Sequence, residues 1–242
     1  MNLERPVAAV PGWISAILVV CLLIQIGSKI SSRSEALTAE DLPPPPRPEI
    51  LRVLSLGEPA TVSRLAMLYL QSFDYHGLNA LPYRRLDYER LIGWLGSIQE
   101  IDPLNAYPLF AAARIYAEVP DPKRQRMMLE FIYTEFQADP NRRWPWAAHA
   151  ALVAKHRLKD LPLALKYAQA IDRLTTTADV PLWAKQMGIF ILEDMNEFDA
   201  ARIMLGGLLA SGKIKDPNER RFLESRLIDL KARLPATPLK PR

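Results

Sequence analysis

The chain has 242 residues, of which 49% are hydrophobic and 24% charged, with a formal net charge of +4. That length provides one domain of ordinary size plus an appendage, and the hydrophobic content suffices for a core. The only cysteine, Cys21, excludes an internal disulfide and a cysteine-rich metal site, and a basic excess of only five from Pro43 onward argues against nucleic acid as a partner.

The N-terminal segment, residues 1–33, reads as a membrane anchor with its flanks. No charge occurs between Pro6 and Ser28, and at ~1.5 Å rise per residue such a run covers a hydrocarbon core of ~30 Å. The expected bilayer contact is through residues 7–27. The most apolar part, Trp13 to Ile26, is by itself of signal-peptide length, but "IQIGSKISS" lacks the small residues of a cleavage site. "LVVC" at 18–21 departs from a lipidation signal. An uncleaved single-pass anchor in an inner (cytoplasmic) membrane is therefore expected. Arg5 on one side nearly balances Lys29 and Arg33 on the other, so the short N-terminal tail decides the orientation and sends the rest to the periplasmic side.

Residues 34–49 carry five prolines between Pro43 and Pro48. Such a run favours the extended polyproline conformation and lacks amide donors, so it is expected to act as a semi-rigid spacer. A ligand for an SH3-type domain is the alternative.

From residue 50 to 234 the chain is punctuated at Pro103, Pro140, Pro181 and Pro217, at intervals of 37, 41 and 36 residues. Between these marks apolar residues recur at three and four, as in Leu109, Ala112, Ala113 and Tyr116, or Leu163, Tyr167, Ala170, Ile171 and Leu174. That is the stripe of a helix buried on one face. Each interval holds two stripes around a polar break, "VPDPKR", "RLKDLP" or "MNEF". The pattern predicts an all-α solenoid of about four helical hairpins, in which each hairpin covers its neighbour's apolar face. A disordered tail, 235–242, is expected to follow.

The unit "RWPWAAHAALVAKHRLKDLPLALKYAQAIDRL" resembles the tetratricopeptide repeat (TPR) family, with Trp146, Ala150, Ala164 and Ala168 at its aromatic and small positions. "DPN" at 139–141 matches the family's repeat ending and recurs at 216–218, after a unit carrying Trp183, Gly188 and Ala200. Ala113 and Tyr116 fit the unit before Pro140. The first unit is interrupted by "DYHGLNALPYRRLD". The opening "LPPPPRPEILRVLSLGEPA" is also similar to bacterial membrane-anchored repeat proteins. The resemblance implies a concave face, lined by first helices, that binds a peptide or partner helix. Carried over position by position, it assigns Tyr107, Phe110 and Arg114 in one hairpin and Ala147, Ala151 and Lys155 in the next to partner binding.

"DPNRRWPWAAHA", residues 139–150, is the stretch most like a site. Here Asp139 and Pro140 are expected to end a helix, with Asn141 to Arg143 as the turn and Pro145 in the next first turn. Trp146 is expected to pack between hairpins and Trp144 at their junction, the alternative being a surface aromatic flanked by arginines. Arg84, Arg85, Lys123, Arg124, Arg126, Arg142 and Arg143 fall in expected turns and define a possible basic edge for anionic lipid or an acidic partner. His149 and His156 are seven apart, which is not metal-ligand spacing on a helix. Glu193, Asp194, Glu197 and Asp199 cluster at a turn without the spacing of a catalytic pair. "GGLLASG", 206–212, lacks the context of a phosphate loop and is expected to let helices approach closely. No catalytic constellation, cofactor motif or metal site emerges. The expected function is that of a membrane-tethered protein-interaction scaffold in a bacterial envelope complex. The alternatives are a purely structural spacer, an anionic-lipid-binding module, and an envelope hydrolase using the acidic turn.

Overall fold

A computed structural model describes residues 12–31, 42–73, 86–212 and 214–233. The expected tail, the spacer residues 34–41 and most of the insert in the first unit lie outside them, as do Arg84 and Arg85. Among the described residues the chain is all-helical, with eleven α-helices and one 3-10 turn, Tyr116–Glu118. These are α1 (Gly12–Ser31), α2 (Pro48–Leu54), α3 (Pro59–Ser72), α4 (Tyr88–Ile101), α5 (Tyr107–Arg114) and α6 (Pro122–Ala138). They continue with α7 (Pro140–His156), α8 (Leu161–Leu174), α9 (Leu182–Asp194), α10 (Phe198–Ala210) and α11 (Pro217–Arg233).

Among the described residues no helix is long and apolar enough to cross a membrane. The most apolar part of α1, Trp13 to Ile26, rises ~21 Å at 1.5 Å per residue, short of a ~30 Å core. The uncharged run begins at Pro6, and its residues before Gly12 lie outside the described part.

Helices adjacent in the chain pack against one another from α3 to α11, and alternate helices also touch: α4 with α6, α5 with α7, α7 with α9. The result is two layers of hairpins, α3/α4, α5/α6, α7/α8 and α9/α10, with α11 on the last. The proline marks fall at the junctions between these pairs. Pro103 follows α4, Pro140 opens α7, Pro181 precedes α9 and Pro217 opens α11. A proline suits the first turn because the amide it lacks has no helical acceptor there. Aspartates help to start helices: the Asp87 carboxylate accepts from the Glu89 and Arg90 amides, Asp121 from Arg124, and Asp160 from Leu163. The α9–α10 turn closes with Asn196 at φ 61° and the Glu197 amide donating to the Leu192 carbonyl at 2.9 Å.

The core between the layers is built from large side chains of α4, α6 and α8 and small ones of α5 and α7. Leu91, Leu95, Ile98, Met128, Leu129 and Tyr167 are fully buried, and so are Ala111, Ala112, Ala113, Ala150 and Ala154. The alanines allow first helices to lie close to their neighbours.

Three local expectations need correction. Asn141 to Arg143 form no turn, because α7 starts at Pro140 immediately after Asp139; Pro145 consequently lies inside the helix. The prolines at 43–46 are not wholly a free spacer, because Leu42 is buried and the run lies against α4. Gly206 and Gly207 meet nothing within 4 Å of a Cβ position, so they mediate no close helix approach.

Candidate functional site

The first helices expose one stripe each. On α5 it comprises Tyr107, Phe110 and Arg114; on α7 Pro145, His149, Leu152 and His156; on α9 Trp183, Met187, Phe190 and Asp194. Of these, Pro145, His149, Met187 and Phe190 are partly covered and the rest exposed. The spacing of three and four keeps each stripe on one side of its helix. Because α5 touches α7 and α7 touches α9, the stripes form one surface.

Side chains join these helices in sequence. Gln71 of α3 donates to the Tyr107 hydroxyl at 2.6 Å. Tyr107 stacks on Phe110 with ring centroids 5.8 Å apart, and Phe110 meets Trp146 of α7 edge-on at 6.0 Å. Trp144 of α7 meets Trp183 of α9 edge-on at 5.5 Å. Lys155 pairs with Asp194. Toward the C-terminal end, Arg226 of α11 pairs with Glu193, and Gln186 donates to Glu219 at 2.9 Å. Four large apolar side chains remain open on this face: Tyr107, Phe110, Leu152 and Trp183, between 39% and 54% exposed. Exposed apolar groups gathered on one face of a folded chain are a recognised mark of an interaction surface.

At one margin of the face, His149 lies between Arg114, whose guanidinium is 3.5 Å from Nδ1, and Glu118, whose carboxylate is 3.6 Å from Nε2. Burial, reinforced by the Arg114 charge, holds the His149 pKa below the ordinary imidazole value against the pull of Glu118. Glu118 also pairs with Arg157. Arg114 has no carboxylate partner among the described residues, so it stands as an open cation beside Phe110.

The structure divides the residues assigned from sequence. Tyr107, Phe110 and Arg114 are on the open face. Ala147 and Ala151 are not; both are 0% exposed, Ala147 packed with Phe136 and Ile171 and Ala151 in the core of the α3–α8 region, so neither reaches a partner. Lys155 is half-buried and committed to Asp194. The register carried over for α7 differs from the structure: the outward stripe is 145, 149, 152 and 156, of which Leu152 and His156 are exposed and Pro145 and His149 partly covered. The alanine pattern of α7 holds a signal for this, since 147, 148, 150, 151 and 154 are the small residues of close helix packing and the face without them is the open one.

The basic edge is likewise corrected. Arg143 is buried, with its guanidinium 2.6 Å from the Glu135 carboxylate and 2.8 Å from the Glu135 carbonyl. Arg126 pairs with Asp160 at 2.7 Å, Arg142 with Asp139 at 3.3 Å and Arg124 with Asp121 at 3.8 Å. Arg124 also lies over the Tyr88 ring. Lys123 lines a cleft of about 430 Å³ between the starts of α4 and α6, which Asp87, Glu89 and Asp121 share. Among the described members of the expected edge, Arg124, Arg126, Arg142 and Arg143 are thus each matched by a nearby carboxylate, while Arg84 and Arg85 lie outside the described residues.

The acidic turn is similarly engaged. Glu193 binds Arg226, Asp194 binds Lys155, and Asp199 lies 3.2 Å from Arg202. Among the described residues no group of three metal-ligating side chains is assembled. No protein-family model matches this chain, and no curated protein or solved structure is significantly similar to it.

Proposed function

We propose that this protein is a TPR-like interaction scaffold whose α5–α7–α9 face holds a segment of another protein of the bacterial envelope. The observation that carries this reading is the placement of Tyr107, Phe110, Leu152 and Trp183 on three consecutive first helices, each of them exposed over 39% to 54% of its surface. Burying such aromatic and aliphatic groups supplies affinity at roughly 25 cal/mol per Å² before the costs of association. Arg114 adds the polar constraint. A cation with no carboxylate partner among the described residues, one turn from Phe110, fits a partner segment that places an acidic group next to an apolar side chain. Arg114 and the aromatic pair Tyr107 and Phe110 act together here, whereas Lys155 does not, being neutralised by Asp194.

The membrane tether belongs to the same proposal. On α1, Trp13, Ile17, Leu18, Val20, Leu23 and Ile24 are all more than half exposed, and they lie on every side of the helix. An all-round apolar helix needs an apolar medium or a partner. Together with the uncharged residues from Pro6 it forms an anchor in the inner membrane in this reading, with the repeats on the periplasmic side. The work of the molecule is binding rather than catalysis.

Photo-crosslinking in intact membranes tests the binding face. A benzophenone side chain in place of Tyr107 or Trp183 should give one shared adduct, whereas the same group at Thr134 or Asp172, on the second helices α6 and α8, should not. Equal adducts from both layers would refute the reading.

A further inference from the structure

The proline run is accounted for neither by a spacer nor by the open face just described. Leu42 is 1% exposed and belongs to the core, and from it the chain runs along α4 to the start of α2. Three side chains of α4 donate to three carbonyls of this strap. Arg90 reaches the Leu42 carbonyl at 2.6 Å, the Trp94 indole Nε1 that of Pro43 at 2.9 Å, and the Ser97 hydroxyl that of Pro46 at 2.8 Å. Positions 90, 94 and 97 form one helical stripe. Between them Gly93 faces Pro45 so closely that a Cβ there would lie 2.6 Å from Pro45 Cγ.

The chemistry of the two partners is matched. Pro43 to Pro46 have no amide hydrogen, so this stretch of strap offers acceptors only, and α4 meets it with donors only. Arg47 closes the strap at φ −67°, ψ 136°, the polyproline II region. Three residues per turn in that conformation return the carbonyls of Pro43 and Pro46 to the same side, where Trp94 and Ser97 take them. Trp94 itself is nearly buried and backed by the Tyr69 ring at 5.4 Å, with Phe73 edge-on to Tyr69 at 5.2 Å. An aromatic wall with an indole donor, a shallow glycine floor and a row of donors is what recognition of a polyproline helix requires.

We propose that the Arg90–Ser97 stripe of α4 is a polyproline-binding site, filled in cis by Leu42–Arg47. The chain thereby latches its own proline strap to the first hairpin. Only ten residues, 32–41, then separate α1 from the latched strap, a reach of at most ~35 Å at full extension. The latch draws on the high effective concentration of a tethered ligand, and a proline-rich segment in trans competes for the same donors once the strap is displaced.

The test uses the full chain in detergent and a fluorescent peptide of the strap sequence LPPPPRP. Leu42→Asp, which displaces the strap, should raise peptide binding at least tenfold over the unmodified chain. Adding Gly93→Leu should abolish that gain, and the peptide LAAAARA should not bind. Peptide binding that Leu42→Asp fails to raise, or that survives Gly93→Leu, or that LAAAARA reproduces, overturns the proposal. Should Leu42→Asp prevent folding, the decision falls to 5-fluorotryptophan NMR with Gly93→Leu alone in the native sequence. The Trp94 resonance, assigned through Trp94→Phe, should shift as the strap leaves. An unmoved resonance overturns the proposal.

Discussion

Arg142 and Arg143 are neighbours in sequence with different surroundings. Arg142 is 54% exposed at its side chain and pairs with Asp139 across one helical turn, an arrangement that contributes little in water. Arg143 is 8% exposed and holds both the carboxylate and the carbonyl of Glu135, whose pKa burial pushes up even as Arg143 opposes the shift. Removing one member of a buried pair leaves the other unpaired. Arg143→Ala should therefore cost about 3 kcal/mol, and Arg142→Ala less than about 0.5 kcal/mol, as read from urea unfolding of the two variants. His149 offers a second residue-scale test. Its pKa is lowered in the fold, first by burial and then by Arg114, so below the ordinary imidazole value near 6.5 the unfolded chain binds the proton more readily. Stability should then rise with pH across the window just below 6.5 and fall on acidification. His149→Gln should flatten that slope, which melting temperatures between pH 5 and pH 7.5 measure directly. From sequence these two arginines are indistinguishable, since the acceptor of Arg143 comes from the preceding helix and only packing of α6 on α7 brings it within reach.

At the scale of the element, the helical hairpins are legible in the sequence because their cause is local. Apolar spacing makes the stripes, prolines open the first turns, and aspartates cap them. What is not legible is register. The assignment of Ala147 and Ala151 to the binding face fails because a helix in the middle of a stack is covered on several sides, and its narrow open stripe is the one free of the buried alanines 147, 148, 150, 151 and 154, not the one carried over by resemblance. The asparagines beside two of the proline marks, Asn105 and Asn141, gain a role only in three dimensions. Asn141 accepts from the Thr176 and Thr177 amides at 2.8 and 3.2 Å and donates to the Thr176 hydroxyl at 3.1 Å, clasping the loop after α8. Asn105 likewise donates to Ser63 of α3 at 2.7 Å while its side-chain oxygen accepts from the Tyr107 amide at 2.9 Å. These bonds tie the start of one hairpin to another part of the stack. Asn141→Ala should lower stability by about 1 to 2 kcal/mol and speed amide exchange in the 175–181 loop, with little change in the 102–106 loop. Uniform acceleration across both loops would indicate global destabilisation instead.

Over the whole molecule, the two layers have different tasks. The second helices α4, α6 and α8 carry the large buried side chains and further contacts with one another, including the Tyr167 ring against the Tyr133 ring at 4.9 Å and the Arg126–Asp160 ion pair. The first helices contribute alanines inward and leave aromatics outward. Substitution on the open stripe should therefore separate binding from stability, because that stripe takes small part in holding the layers together. Leu152 sits on α7 between the α5 and α9 stripes, is 43% exposed, and engages in no polar contact. The decisive measurement combines Leu152→Glu with the benzophenone at Tyr107 or at Trp183. A carboxylate at the middle of the face should repel the acidic partner segment and reduce both adducts at least tenfold, while stability to urea stays within about 1 kcal/mol of the parent, as for other exposed substitutions. Adducts that persist undiminished in a stably folded Leu152→Glu chain would contradict the assignment of the α5–α7–α9 face as the binding surface.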